Sequence, residues 1–203
     1  MDGTTLVDTV TDDLETQLSR LGSSKWLYAL TDGDMTGEAV RAAAAADAVA
    51  AAETFESWAD DADDDAAETF ATLAASAADR RDAVDPGADT ADRGRYDVLA
   101  DFDGTVARLG GALGSLLVLD RTVGQMVGFF VGDADPSTAN EFRDIRDDVD
   151  ADRSRVVDAL DSACSGDDDW DRAATAATAV VEATYDDYVE TLESMGIKPK
   201  NVC

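Results

Sequence analysis

The chain has 203 residues, enough for one domain with a real hydrophobic core. It carries 45 acidic residues against 16 basic ones, has no histidine, and bears a formal net charge of −29. A nucleic-acid backbone or an anionic membrane face needs Lys and Arg that this chain mostly lacks, so neither is an expected partner, and an imidazole base, a Ser-His-Asp triad or a His-ligated zinc is excluded outright.

Residues 1–35 are read as an N-terminal helix and turn. Val7, Val10, Leu14, Leu18 and Leu21 recur at three- and four-residue steps, which predicts one helix ending at Gly22. An apolar knot follows at Trp26, Leu27, Tyr28 and Leu30. Residues 36–84 form a first helical hairpin. Thr36 is a good N-cap for a helix whose stripe is Val40, Ala44, Asp47, Ala51, Phe55 and Trp58. After the acidic connection Asp60 to Asp65, a returning helix carries Ala66, Phe70, Leu73, Ala77, Arg80 and Val84 on one face, and a link this short makes the two helices antiparallel neighbours.

Asp85, Pro86 and Gly87, with the polar run to Gly94, mark a boundary between two halves. Residues 85–135 are expected to be a crossover with two short helices. Its apolar part, Leu109 to Gly132, contains Asp120, Arg121 and Gln125 and is broken by glycines at 110, 111, 114, 124 and 128. A membrane span needs about 20 nearly uninterrupted apolar residues, so a buried helical hairpin crossing the bundle is the expectation. Residues 136–195 form the second hairpin. Asp135 and Pro136 open its first helix, with Phe142, Ile145, Val149, Val156 and Leu160 on the stripe. Asp168 caps its second helix, striped by Trp170, Ala174, Ala177, Val181, Tyr185, Tyr188, Leu192 and Met195 and closed at Gly196. Residues 196–203 are a short tail. No strand is predicted, and the fold class is all-α.

Asp47 and Arg80 stand on core-facing stripes, where a charge costs several kcal/mol unless paired. With the first turn near residue 62, the two lie within reach across the hairpin, so an Asp47–Arg80 ion pair is the expectation. With the second turn near residue 166, Glu182 lies opposite the region of Asp152 and Arg153, where the Val149–Val156 stripe is interrupted, and a Glu182–Arg153 pair is the corresponding expectation.

Two antiparallel hairpins, a long crossover and inward polar residues at mid-helix resemble the ferritin-like four-helix bundle, in particular rubrerythrin-like proteins of salt-loving archaea. The phrases that carry the likeness are Ala-Glu-Thr-Phe-Glu-Ser-Trp-Ala (52–59), Ala-Glu-Thr-Phe-Ala (67–71) and Met-Gly-Ile-Lys-Pro-Lys (195–200). The resemblance implies a ferritin-like antiparallel bundle with an extra N-terminal helix and a helical crossover. It also implies a di-iron centre built from a Glu on one helix of each hairpin and Glu-x-x-His on the other. Here Arg80 stands at the first His position, with Ala77 in place of the Glu three residues earlier. Glu182 keeps a carboxylate, Tyr185 takes the second His position, and Asp47 stands for the remaining first-hairpin carboxylate. Asp47, Arg80, Arg153, Glu182 and Tyr185 therefore read as vestiges of a metal site. No cofactor is expected; the alternative is a di-iron oxidoreductase, for which Asp47, Glu53, Glu141 and Glu182 are the available carboxylates. The leading functional expectation is a non-catalytic interaction or structural protein.

Other signals are weaker. Asp-Phe-Asp-Gly-Thr (101–105) resembles the nucleophile loop of haloacid-dehalogenase-type phosphatases, but no buried strand or βα alternation surrounds it, and it is read as chance. The acidic runs 60–65 and 167–171 lack the spacing and glycine of an EF-hand. Of the acids 36 are Asp, and of the bases only three are Lys, a skew spread over the whole chain that fits adaptation to molar salt, where like charges are screened. An acidic decoy for a basic partner would instead cluster its carboxylates. Cys164 and Cys203 form no framework, which suggests free thiols in a reducing cytoplasm. The Val127–Val131 run is a candidate homodimer surface; otherwise an unidentified protein is the expected partner.

Overall fold

A computed structural model describes residues 1–62, 64–84 and 94–199 of the chain. Every regular element among these residues is a helix: α1 (Gly3–Asp13), α2 (Glu15–Leu21), α3 (Ser24–Leu30), α4 (Gly37–Asp61), α5 (Asp64–Val84), α6 (Gly94–Ala100), α7 (Thr105–Gly132), α8 (Pro136–Ala163) and α9 (Asp167–Ser194). The helix boundaries follow local chemistry. Thr36 accepts from Ala39 N at 3.2 Å to open α4, and Asp135 accepts from Thr138 N at 3.1 Å, ahead of Pro136, to open α8. At the end of α9, Gly196 takes φ +73° and lets Ile197 N donate to the Leu192 carbonyl at 2.8 Å, which satisfies a carbonyl the helix leaves over.

The first hairpin is α4 against α5, as the stripes predict. Near the turn, Trp58 on α4 meets Phe70 on α5 edge to face, with the rings 5.3 Å apart, and Phe55 packs against Trp58. The N-terminal segment differs from the single helix expected. It bends at Leu14 and again after Leu21 to give three short helices, so that α1 lies on α8 and α9, α2 on α7 and α9, and α3 on α7. Gly3 N donates to the Asp161 carboxylate at 2.7 Å and pins the start of α1 to α8.

The largest difference concerns the crossover. Residues 105–132 form one continuous 28-residue helix, not a short helix in a hairpin, and this helix packs along both α8 and α9. The second antiparallel hairpin is therefore α7–α8, turning through Asp133, Ala134 and Asp135, and the expected partnership of α8 with α9 is replaced by α9 lying on α7. The expected boundary at 85–94 falls outside the described residues except for Gly94.

The glycines explain how α7 runs through the core. Every residue from Leu109 to Val118 is buried, so this part of α7 is covered on all sides. A methyl group at Gly110 would sit 2.7 Å from the Ala173 Cα and overlap its carbonyl, and one at Gly114 would come within 2.5 Å of the Ala177 carbonyl oxygen. Four-residue steps on both helices keep this contact in register, with α7 and α9 parallel. Glycine here admits a neighbouring backbone instead of breaking the helix, and its helix propensity cost of about 1 kcal/mol is outweighed by packing. No helix among the described residues is long and apolar enough to cross a membrane.

Gly128, further along α7, has nothing within 4 Å of where a Cβ would stand. Gly114→Ala should lower unfolding stability by about 1–3 kcal/mol through overpacking. Gly128→Ala should raise it by up to about 1 kcal/mol through helix propensity. Urea unfolding of the two variants, read at equal ionic strength, checks the contrast; equal effects would mean that α7 and α9 do not approach this closely.

Candidate functional site

The core consists of two apolar clusters. The larger gathers residues such as Leu6, Phe55, Phe70, Leu113 and Val156, and the smaller gathers Val40, Val84, Met126, Phe130 and Phe142. Along α4 and α5 the change from one cluster to the other coincides with a charged residue: Asp47 lies between Ala45 and Ala51, and Arg80 between Ala77 and Val84. A belt of buried polar groups thus crosses the first hairpin at mid-height.

Arg80 lies in the core with its side chain 5% exposed, and it donates to Asp152 on α8 at 2.7 Å. Asp152 is equally enclosed, at 3%, and also accepts from Ser76 on α5 at 3.0 Å and from Arg155 at 3.3 Å. Asp47 is bonded instead by Arg95 of α6. The Tyr96 hydroxyl stands 2.9 Å from the Asp47 carbonyl and 3.0 Å from its carboxylate. The expected Asp47–Arg80 pair is therefore replaced by two pairs that each reach out of the hairpin, one to α8 and one to α6. The reason is tertiary: α8 brings Asp152 within 2.7 Å of Arg80, and α6 brings Arg95 to Asp47.

The Glu182–Arg153 pair does not form. Glu182 is exposed on α9, and Arg153 bonds Asp150 one turn away on its own helix at 3.0 Å. Tyr185 is half-buried against Tyr188, ring centroids 5.7 Å apart. The expected sites of all three require α8 to face α9; α7 packs along both instead, so Glu182 and Tyr185 have no counterpart on α8. Of the other carboxylates, Glu53 is exposed, and Glu141 is gripped by Arg41 through contacts of 2.9 and 3.1 Å, with Arg41 also donating to the Val84 carbonyl at 2.9 Å. Asp101 to Thr105 is the turn between α6 and α7, where Gly104 takes φ +80°, and it follows a helix where a phosphatase loop follows a strand. Cys164 is a free, half-buried thiol whose pKa is raised by burial and by the nearby Asp169 and Asp161, while Cys203 lies outside the described residues.

Arg95 and Tyr96 escaped the sequence reading. Arg95 stands four residues before the buried Leu99, so the stripe rule that singles out Arg80 would also have found it. Burial works against the charge on Arg95, but the Asp47 carboxylate and the Tyr96 hydroxyl prevail and hold its pKa above the ordinary value. Burial pushes the Tyr96 hydroxyl pKa up in spite of the adjacent Arg95, so the phenol stays protonated and can donate to Asp47. A cavity of about 30 Å³ lies beside the belt, its wall formed by apolar groups including Trp26, Val123 and Phe142 and by Asp47, Arg80 and Arg95.

These residues do not fit a di-iron centre. Such a centre needs four or more convergent carboxylate or imidazole ligands. Both belt carboxylates are already bonded to guanidinium groups, and among the described residues no three Cys, Asp or Glu side chains converge. An incoming cation would meet Arg80 and Arg95 first. No protein-family model, curated protein or solved structure matches the chain.

Removing one member of a buried pair leaves the other charge without compensation, which typically costs about 3–5 kcal/mol. Asp152→Ala should show a loss of that size in urea unfolding. The double variant Arg80→Met/Asp152→Leu should recover most of it, because apolar side chains of similar volume often replace a buried pair at little net cost. A small loss in the single variant would mean that Arg80 reaches water.

Proposed function

We propose that this chain is a ferritin-like bundle, related to rubrerythrins, in which buried ion pairs occupy the place of the metal centre, and that it serves as a non-catalytic interaction or structural protein. The reading is supported by the two antiparallel hairpins α4–α5 and α7–α8, joined through a connection that contains α6, with α4 beside α7 and α5 beside α8. Relative to the sequence-based assignment, the second hairpin moves one helix earlier. The N-terminal helices and α9 are then additions around the four-helix core.

The observation that carries the reading is the Arg80–Asp152 pair, which joins the two hairpins through Arg80, the residue that the family resemblance puts in the place of a metal-binding His. A guanidinium fills the role of a cation there: it neutralises the carboxylate, ties the hairpins together and has no open coordination position. Adaptation to high salt belongs to the same proposal, since the acidic residues are spread over the whole chain. Val131 is 55% exposed at the end of α7, beside half-buried Val127 and Phe129, and forms the surface we assign to self-association or to a protein partner.

Metal analysis of protein purified without chelator tests the central claim. Iron well below one equivalent per chain is expected, in wild type and in Val131→Asp alike. Two equivalents of iron, with an absorbance band from an oxo bridge, would overturn it in favour of the di-metal oxidoreductase. Size-exclusion chromatography in molar salt should show a dimer that Val131→Asp converts to monomer; a monomeric wild type would leave a different protein as the partner.

A further inference from the structure

Among the described residues only two buried side-chain polar atoms lack a hydrogen-bond partner: the Arg95 Nε and the Tyr188 hydroxyl. Arg95 lines the cavity beside the belt, and Tyr188 does not. The other polar groups of the cavity wall are engaged. Trp26 Nε1 donates to Thr122 at 2.9 Å, Thr122 donates to the Val118 carbonyl at 3.0 Å, Arg80 donates to Asp152, and Asp47 accepts from Arg95 and Tyr96. One charged N–H donor is therefore left over on a residue that lines a small, mostly apolar space. Native proteins seldom leave such a group unsatisfied, because its desolvation is not offset.

Charge points the same way. The wall carries the guanidinium groups of Arg80 and Arg95 and the single carboxylate of Asp47. Asp152 lies behind Arg80, but it is shared with Arg155, which is partly exposed. Arg155 adds its charge from the solvent side, with its side chain 43% exposed, so what the buried wall itself presents is two guanidinium groups against one carboxylate. Size is the third constraint. A space of about 30 Å³ has room for a water molecule or a monatomic anion.

We propose that this cavity is a binding site for one halide-sized monovalent anion, chloride in a chloride-rich medium, held by the Arg95 Nε–H beside the second guanidinium of the wall, Arg80. The anion completes the hydrogen bonding of Arg95, so the folded state takes up chloride specifically and not merely as ionic strength. The site is independent of whether the bundle descends from an iron protein.

The test is unfolding at constant, high ionic strength, with sodium glutamate exchanged stepwise for sodium chloride. Binding to the folded state alone predicts that, above the dissociation constant, each tenfold rise in chloride raises the folding equilibrium constant up to tenfold. Arg95→Lys keeps a cation beside Asp47 but removes the Nε donor, and Ala44→Val fills the cavity from α4; both should lose most of this chloride dependence. Equal dependence in wild type and in a folded variant would overturn the proposal. Crystals of the wild type grown in bromide decide the matter without any variant. An anomalous bromide peak within hydrogen-bonding distance of Arg95 Nε supports the site, and density there without anomalous signal identifies a water and overturns it.

Discussion

Arg80 and Asp152 meet at 2.7 Å in a place where both have lost nearly all contact with water, and the rest of the bundle is arranged around that requirement. In a low-dielectric interior either charge alone is strongly unfavourable, so α5 and α8 must pack in the one register that brings the guanidinium to the carboxylate. The Arg95–Asp47 pair imposes a similar condition on α6 and α4. Apolar surface drives these helices together, but it is tolerant of sliding by a turn. The polar belt between the two clusters is not, and it ties α5 to α8 and α6 to α4 through residues 72 and 48 positions apart.

The basic residues support this arrangement although they are few. Arg41 ties α4 to α8 and to the end of α5, Arg146 bonds Asp120 between α8 and α7 at 2.8 Å, and Arg108 joins Asp61 at 3.3 Å while lying over the Trp58 ring. The planar fork of Arg suits contacts that bridge helices, since it keeps several donors available in fixed directions. With many more acids than bases, most carboxylates remain to be solvated at the surface, and five of the Arg residues, Arg41, Arg80, Arg95, Arg108 and Arg146, bond across helix interfaces.

Much of this was legible in the residues. The stripes of α4 and α5, the Asp135–Pro136 start of α8 and the Gly196 stop of α9 follow local rules, and they appear where those rules place them. The core position of Arg80 was also readable, because a charge on an apolar stripe is conspicuous. Its partner was not readable. Asp152 interrupts the α8 stripe, but choosing Asp152 over Asp47 depends on which helix lies across from α5, and helix adjacency is not encoded in periodicity. The same gap misplaced Glu182, Tyr185 and Arg153. The glycines of α7 read as interruptions because their local meaning is flexibility, whereas their tertiary meaning is close approach to Ala173 and Ala177.

Composition and periodicity were enough to establish an all-helical chain with a thin, alanine-rich core, the helical hairpin of residues 36–84, and the absence of any imidazole chemistry. These properties arise from interactions within a few residues of one another or from side-chain types alone. The order of helices across the bundle, the continuity of α7, the partners of Asp47 and Arg80, and the small cavity with an unsatisfied Arg95 exist only in the folded arrangement. They depend on contacts between residues 48 to 72 positions apart, whose energies are realised only when the whole bundle closes.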